Sequence, residues 1–276
     1  MTGDDGGVSE DPWAPLAERF VDGHYMTLRG RVRTHVIDRQ LRWHLPPPPA
    51  AVVDVGGGAG HQALPLARDG YRVTIVDPSA AMLERAAGLL ASEPDEVKAR
   101  VTLVRADGRD APEALAGQRF AAVCCHGVIM YLDEPGPLVA ALAELADDDG
   151  VVSIAAKNQR CLAVRPALAG RWSEALAAFD SDRQINGLDV DTRADTVEGL
   201  SELLAGCGVE AVAWYGVRLF TDGWTPDRPP ADDEEAVLAV ELEASRSDPY
   251  RQLSRLFHLV GIRHRANPTR SAGVTS

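Results

Sequence analysis

Asp54-Val-Gly56-Gly-Gly58-Ala-Gly60 overlaps the end of the short apolar run Ala51–Val55, and a helical stretch, Ala63–Arg68, follows. A glycine loop between a strand and a helix leaves a chain few ways to fold. Glycine reaches positive φ without a Cβ clash and lets a ligand approach the backbone. The free N–H groups at the next helix start attract an anion. The rhythm then repeats: residues 72–76, 101–105, 120–125 and 151–155 read as strands, 80–90 and 138–145 as helices. Strands alternating with helices at this spacing build βαβ units. The expected fold class is therefore α/β, a doubly wound, mostly parallel Rossmann-like sheet with helices on both faces.

The flanks are less regular. Residues 13–45 have helical spacing, with breaks expected near Gly23 and Gly30, and the run Pro46 to Pro49 ends them. Past residue 156, 160–180 and 195–205 look helical and 185–194 looks like a polar loop. Residues 209–214 and 217–220 are strand-like, 234–245 and 250–257 helical, and 259–263 a last strand. The expected organisation is a loose tail over 1–11, a single domain over 12–265 and a second tail over 266–276. Within the domain, 12–49 form a helical cap and 50–157 the cofactor-binding core. Residues 158–265 supply substrate-side elements, beginning with an insertion after the fifth strand.

Charge narrows the partners. The chain carries 28 basic and 41 acidic residues, a formal net charge of −13. Proteins that neutralise phosphate backbones usually run the other way, so bulk charge argues against general nucleic-acid binding. Cys124, Cys125, Cys161 and Cys207 form no CxxC pair and lack zinc-ligand spacing. They read as buried thiols in a reducing cytoplasm, and no metal is expected. No run of about 18 apolar residues exists, so no membrane span is expected.

Four signals fall at successive strand ends. The glycines at 56, 58 and 60 give GxGxG, with His61 where a dinucleotide fingerprint wants its third glycine. That spacing favours an adenosyl ligand without a pyrophosphate. Asp77, closing the second strand, can accept from both ribose hydroxyls, a service it could render to NAD as well. Ala106-Asp107-Gly108-Arg109, after the third strand, can read an adenine edge, and His126 ends the fourth. In open α/β sheets ligands lie off the strand carboxyl ends. The ordered set matches class I methyltransferases, with S-adenosyl-L-methionine as cofactor.

Longer stretches extend the match: Leu16-Ala-Glu-Arg-Phe20, Tyr25 and Gly30-Arg-Val-Arg33; Cys125-His-Gly-Val-Ile-Met-Tyr-Leu-Asp-Glu-Pro135; Gly216-Val-Arg218-Leu-Phe-Thr-Asp222; and Asp248-Pro-Tyr250 with Arg255-Leu-Phe-His258. Over residues 12 to 264 the chain resembles the bacterial tRNA 5-carboxymethoxyuridine methyltransferase family. The resemblance implies cofactor contacts at Arg33, Gly56, Gly57, Asp77, Gly108, Arg109 and His126, to which the loop reading adds Gly58 and Asp107. It also implies that Arg218 grips the carboxylate of the methyl acceptor. The family's lysine-rich segment has no counterpart over residues 178–186, and 226–235 are rich in proline and aspartate. The resemblance thus implies an acidic, carboxylate-bearing acceptor, either a modified nucleoside in tRNA or a small molecule of secondary metabolism, and the bulk charge favours the small molecule. A carboxylate acceptor needs no general base, so no catalytic residue is assigned. His126 or Tyr131 would serve for a hydroxyl or amine. A nicotinamide oxidoreductase and a non-catalytic adenosyl-binding protein are the rival readings.

Overall fold

The computed structural model describes residues 25–187, 189–223 and 233–264. Both expected tails, the first part of the helical cap and the proline-rich stretch 224–232 lie outside these residues.

Helix α1 (Leu28–Arg42) opens the described chain, capped by Thr27, whose side chain accepts the Gly30 N–H. Gly30 was expected to break the cap, but it lies buried inside the first turn. There a small residue allows close packing and costs only about 1 kcal/mol of helix propensity. The core then runs β1 (Ala51–Val55), α2 (Ala63–Arg68), β2 (Arg72–Asp77), α3 (Ala80–Ala91), β3 (Val101–Arg105), β4 (Phe120–His126), α4 (Gly136–Leu145) and β5 (Ala146–Lys157). β5 starts earlier than expected because residues 147–150 bulge, so that Phe120 pairs with Ala146 and Ala122 with Val151.

After β5 come α5 (Val164–Leu168) and α6 (Trp172–Ala177), two short helices where one long one was expected. Gly170, at φ +72°, falls in the break between them, while Pro166 sits inside α5. The expected loop over 185–194 is instead bounded by a small hairpin, β6 (Arg183–Ile185) with β7 (Asp191–Arg193). Three-residue strands carry too few residues for a period-2 signal. Helix α7 (Val197–Gly206), strand β8 (Val209–Val217), helix α8 (Glu234–Ala244) and strand β9 (Leu256–Arg263) follow among the described residues. Residues 217–220 are not a strand past Val217, and the helix expected over 250–257 is one 3-10 turn, Tyr250–Leu253, ahead of β9.

The sheet order is β3-β2-β1-β4-β5-β9-β8. β9 runs antiparallel to both neighbours, and the other observed pairs in this sheet are parallel. The order reverses direction between β1 and β4, and a crevice opens there at the strand carboxyl ends. Apolar residues cover both faces. Val53, Val123, Val152 and Phe257 meet α4 and α7, while Val52, Ile75, Ala122 and Val260 meet α1 and α2. Strands buried on both sides read as continuous apolar runs, which is why β1, β4 and β5 were visible in the sequence.

Candidate active site

A cavity of about 330 Å³ sits over that crevice. Its floor is the glycine loop. Gly56, Gly58 and Gly60 have φ of +70°, +53° and +82°. A Cβ on Gly56 would also come within 2.3 Å of the Val128 side chain, so the position excludes a side chain on two grounds. Asp77 ties the loop down. Its buried carboxylate accepts the Gly58 N–H at 2.8 Å and the Ser79 N–H at 2.9 Å. Beside it, Ala59, Pro78 and Met82 give the cavity an apolar wall.

The second wall comes from α1 and β4. Arg33, 5% exposed, donates to the His126 carbonyl at 2.8 Å and lies 5.6 Å from the Tyr25 ring. Gly127, at φ +83°, keeps that approach open, since a Cβ there would meet Arg33 Nη2 at 3.0 Å. Tyr25 stacks in turn on His61, with ring centroids 4.3 Å apart. The residue that breaks the dinucleotide fingerprint thus props an aromatic cavity wall.

Hydrogen-bond direction fixes the state of His126. Gln40 donates through Nε2 to the Gly216 carbonyl, so its Oε1 is an acceptor. His258 Nδ1, 2.8 Å from that oxygen, must therefore carry a proton. Its Nε2 accepts from Ser153 Oγ at 2.6 Å, and Ser153 accepts from His126 Nε2 at 2.8 Å. Burial holds both rings neutral, pushing His258 down to about 3. His126 is left with an unprotonated, buried Nδ1 that meets no partner.

The third wall is cationic. Lys157 ends β5, Arg165 lies in α5, Arg29 in α1 and Arg255 just ahead of β9. Arg218 is not the strand residue expected; it follows β8 in a left-handed turn at φ +61°. Glu241 of α8 holds this turn, accepting the Leu219 and Thr221 N–H groups and the Thr221 hydroxyl. Asp222 pairs with Arg218 at 2.8 Å and with Arg165 at 3.0 Å. Burial still pulls the Arg218 guanidinium down to about 10, and its Nε has no partner.

Of the residues singled out in the sequence, Arg33, Gly56, Gly58, Asp77, His126, Arg218 and Tyr131 line the one cavity. Gly57, Asp107, Gly108 and Arg109 are not among its lining residues. Gly57 and Gly108 serve packing: a Cβ on Gly57 would reach the Asp54 carboxylate at 2.9 Å, and one on Gly108 would reach Val55 and Leu138 at 2.8 Å. Asp107 and Arg109 pair with each other at the exposed rim, next to Asp77 through the Ala106 N–H. Sequence reading missed Arg29, Lys157, Arg165 and Arg255. Lys157 could have been found, because it ends β5 as His126 ends β4. Arg255 opens the stretch Arg255-Leu-Phe-His258 that carries part of the resemblance, but no role was assigned to it.

Residues 52–150 match the family described as a methyltransferase domain. The chain carries the class I methyltransferase fold. It is 26% identical over 248 residues to the tRNA 5-carboxymethoxyuridine methyltransferase of Escherichia coli (strain K12), spanning 88% of this chain and 93% of that protein. Magnesium protoporphyrin IX methyltransferase from Synechocystis PCC 6803, solved with bound SAH, superposes with a TM-score of 0.60 at 13% identity, covering 91% of this chain and 96% of the other. The CcbJ methyltransferase from Streptomyces caelestis gives a TM-score of 0.57 at 16% identity, covering 84% and 90%. Among the described residues no helix is long and apolar enough to cross a membrane, and no cluster of ligating side chains could hold a metal ion.

Proposed function

We propose that this protein transfers the methyl group of S-adenosylmethionine to a carboxylate-bearing acceptor. One observation carries the acceptor reading. Arg29, Lys157, Arg165, Arg218 and Arg255 line one cleft in a chain of net charge −13, and among the described residues only Asp222 forms an ion pair with any of them. Buried cations without partners are costly unless an anion arrives. The charge of the whole chain points away from acids, whereas the charge of the cleft points toward them.

The opposite wall fits the cofactor. The Asp77 carboxylate, held by the Gly58 and Ser79 N–H groups, lines the cavity, where a carboxylate can accept from ribose hydroxyls. Arg33 has donors left to grip the cofactor carboxylate in the bidentate manner of guanidinium groups. Met82, Pro78 and Ala59 supply an apolar face for adenine. Bound there, S-adenosylmethionine supplies an electrophilic methyl on a sulfonium that leaves readily. The protein's task is then alignment of an acceptor already ionised at neutral pH, which needs no base. Tyr131, pushed up to about 12 by burial, keeps its proton, and His126 is held as a neutral, oriented ring.

The Escherichia coli relative favours a modified tRNA nucleoside over a small acid. The discriminating experiment incubates the purified protein and methyl-labelled S-adenosylmethionine with cell extract divided into RNA and small molecules. Label that alkali releases as methanol, in either fraction, supports carboxylate methylation and identifies the acceptor class. Alkali-stable label would show that the acceptor is not a carboxylate. Binding of NADH but not S-adenosylmethionine would overturn the methyltransferase reading itself.

A further inference from the structure

Lys157 and Arg255 are both hung on Gln184 of the β6–β7 hairpin. Lys157 Nζ donates to the Gln184 carbonyl at 3.1 Å and to Thr192 Oγ1 at 2.7 Å. Arg255 Nη2 donates to Gln184 Oε1 at 2.8 Å, and Arg255 Nη1 is buried without a partner. The two side chains are 2% and 6% exposed. Every acceptor they meet is neutral, so these bonds orient the charges without cancelling them. The nearby Asp222 is taken up by Arg165 and Arg218, and Asp191 by Arg183. A single carboxylate seated at Arg218 would leave the Lys157–Arg255 pair uncompensated.

Resting on the acidic-acceptor reading above, we infer that the acceptor carries a second oxyanion, a carboxylate or phosphate, seated between Lys157 and Arg255. The depressed Lys157 ammonium, brought down to about 7 by burial with Arg255 beside it, is what such a pair shows before its anion arrives. The third ammonium hydrogen of Lys157 and Arg255 Nη1 are the donors reserved for it. An acceptor with one negative charge uses half of this wall, and one with two uses all of it.

The test titrates protein saturated with S-adenosylhomocysteine by calorimetry, using butyrate, glutarate and 3-phosphonopropionate as probes. Both dianions should bind roughly tenfold or more tighter than butyrate, the worth of an added charge-assisted hydrogen bond. The tighter of the two identifies the second group. Lys157→Met and Arg255→Met should each erase the gain of the dianions over butyrate while leaving S-adenosylhomocysteine affinity within about threefold, whereas Arg218→Gln should weaken all three acids and keep that gain. Lys157→Met has a second readout. Removing an uncompensated buried charge should leave the melting temperature of the free protein unchanged or raised, whereas a lysine kept only for structure would lower it. Equal affinity for butyrate and the dianions, or a gain that survives both Met variants, overturns the inference and leaves the carboxylate acceptor standing. No binding of any acid overturns both.

Discussion

Asp77→Ala tests whether the carboxylate at the end of β2 holds the loop as well as the ligand. Its two oxygens accept the Gly58 and Ser79 N–H groups in a site 7% exposed. Each bond to a charged acceptor contributes about 1.5–3 kcal/mol. The Gly58 N–H borders the cavity, where water can replace part of the loss, so the free protein should be destabilised by about 2–4 kcal/mol. Asn at this position has a single acceptor oxygen and can satisfy one N–H, so Asp77→Asn should fall midway. The assay is urea unfolding of wild type, Asp77→Asn and Asp77→Ala, each with and without saturating S-adenosylmethionine. Ligand stabilises by mass action on the folded state, so the gap between variants should widen when cofactor is present. An Asp77→Ala protein with wild-type stability would show that the loop stands without the carboxylate. A gap that cofactor leaves unchanged would place the ribose elsewhere.

Other perturbations separate the walls of the cleft. Arg218→Ala should weaken acceptor binding by about 2–5 kcal/mol with cofactor affinity unmoved, and Arg218→Lys should lie between; loss confined to cofactor binding would mean the residue serves the other ligand. Ser153→Ala removes the link between His126 and His258 and leaves two buried imidazole nitrogens unpaired, so it should cost about 1–3 kcal/mol in urea unfolding; a neutral result would show that this chain of bonds does not hold the two rings. The Lys157 pKa, depressed from 10.5 to about 7, sets a pH dependence. The unfolded chain binds this proton up to pH 10.5, so Lys157 destabilises the free fold fully below pH 7 and less as pH rises from 7 to 10.5. An anion beside it restores the charged form, so dianion binding should take up a proton and weaken as pH rises above 7. Calorimetry in buffers of different ionisation enthalpy would show this uptake, and none would refute it.

The fold was legible because β1, β2, β4 and β5 are largely buried and announce themselves as apolar runs between turn signals. The glycine-loop half of the site was legible for the same reason: its side chains sit at the carboxyl ends of those strands. The acceptor half was not. Arg218 was found by resemblance, but the left-handed turn that aims it depends on Glu241, a contact 20 residues from Thr221 along the chain. Lys157 and Arg255 meet only because β5 and β9 pair and the hairpin reaches across to both. Such contacts between remote segments leave no periodicity. Net charge said nothing of the cleft, because a formal sum over the whole chain averages away a local cationic wall.

The place of β9 has a consequence for how the chain is made. The last described strand does not extend the sheet at an edge; it is inserted between β5 and β8. During synthesis, β8 has no strand partner until β9 emerges, and the β5 edge stays open for as long. An exposed strand edge is the template on which unfinished chains aggregate. Arg255 and His258 travel on or just ahead of that same strand. A chain stopped before β9 would keep nearly all of the glycine loop's surroundings, yet it would be sticky and would lack Arg255 from its cationic wall. Completion of the sheet and completion of the cationic wall are therefore one late, non-local step.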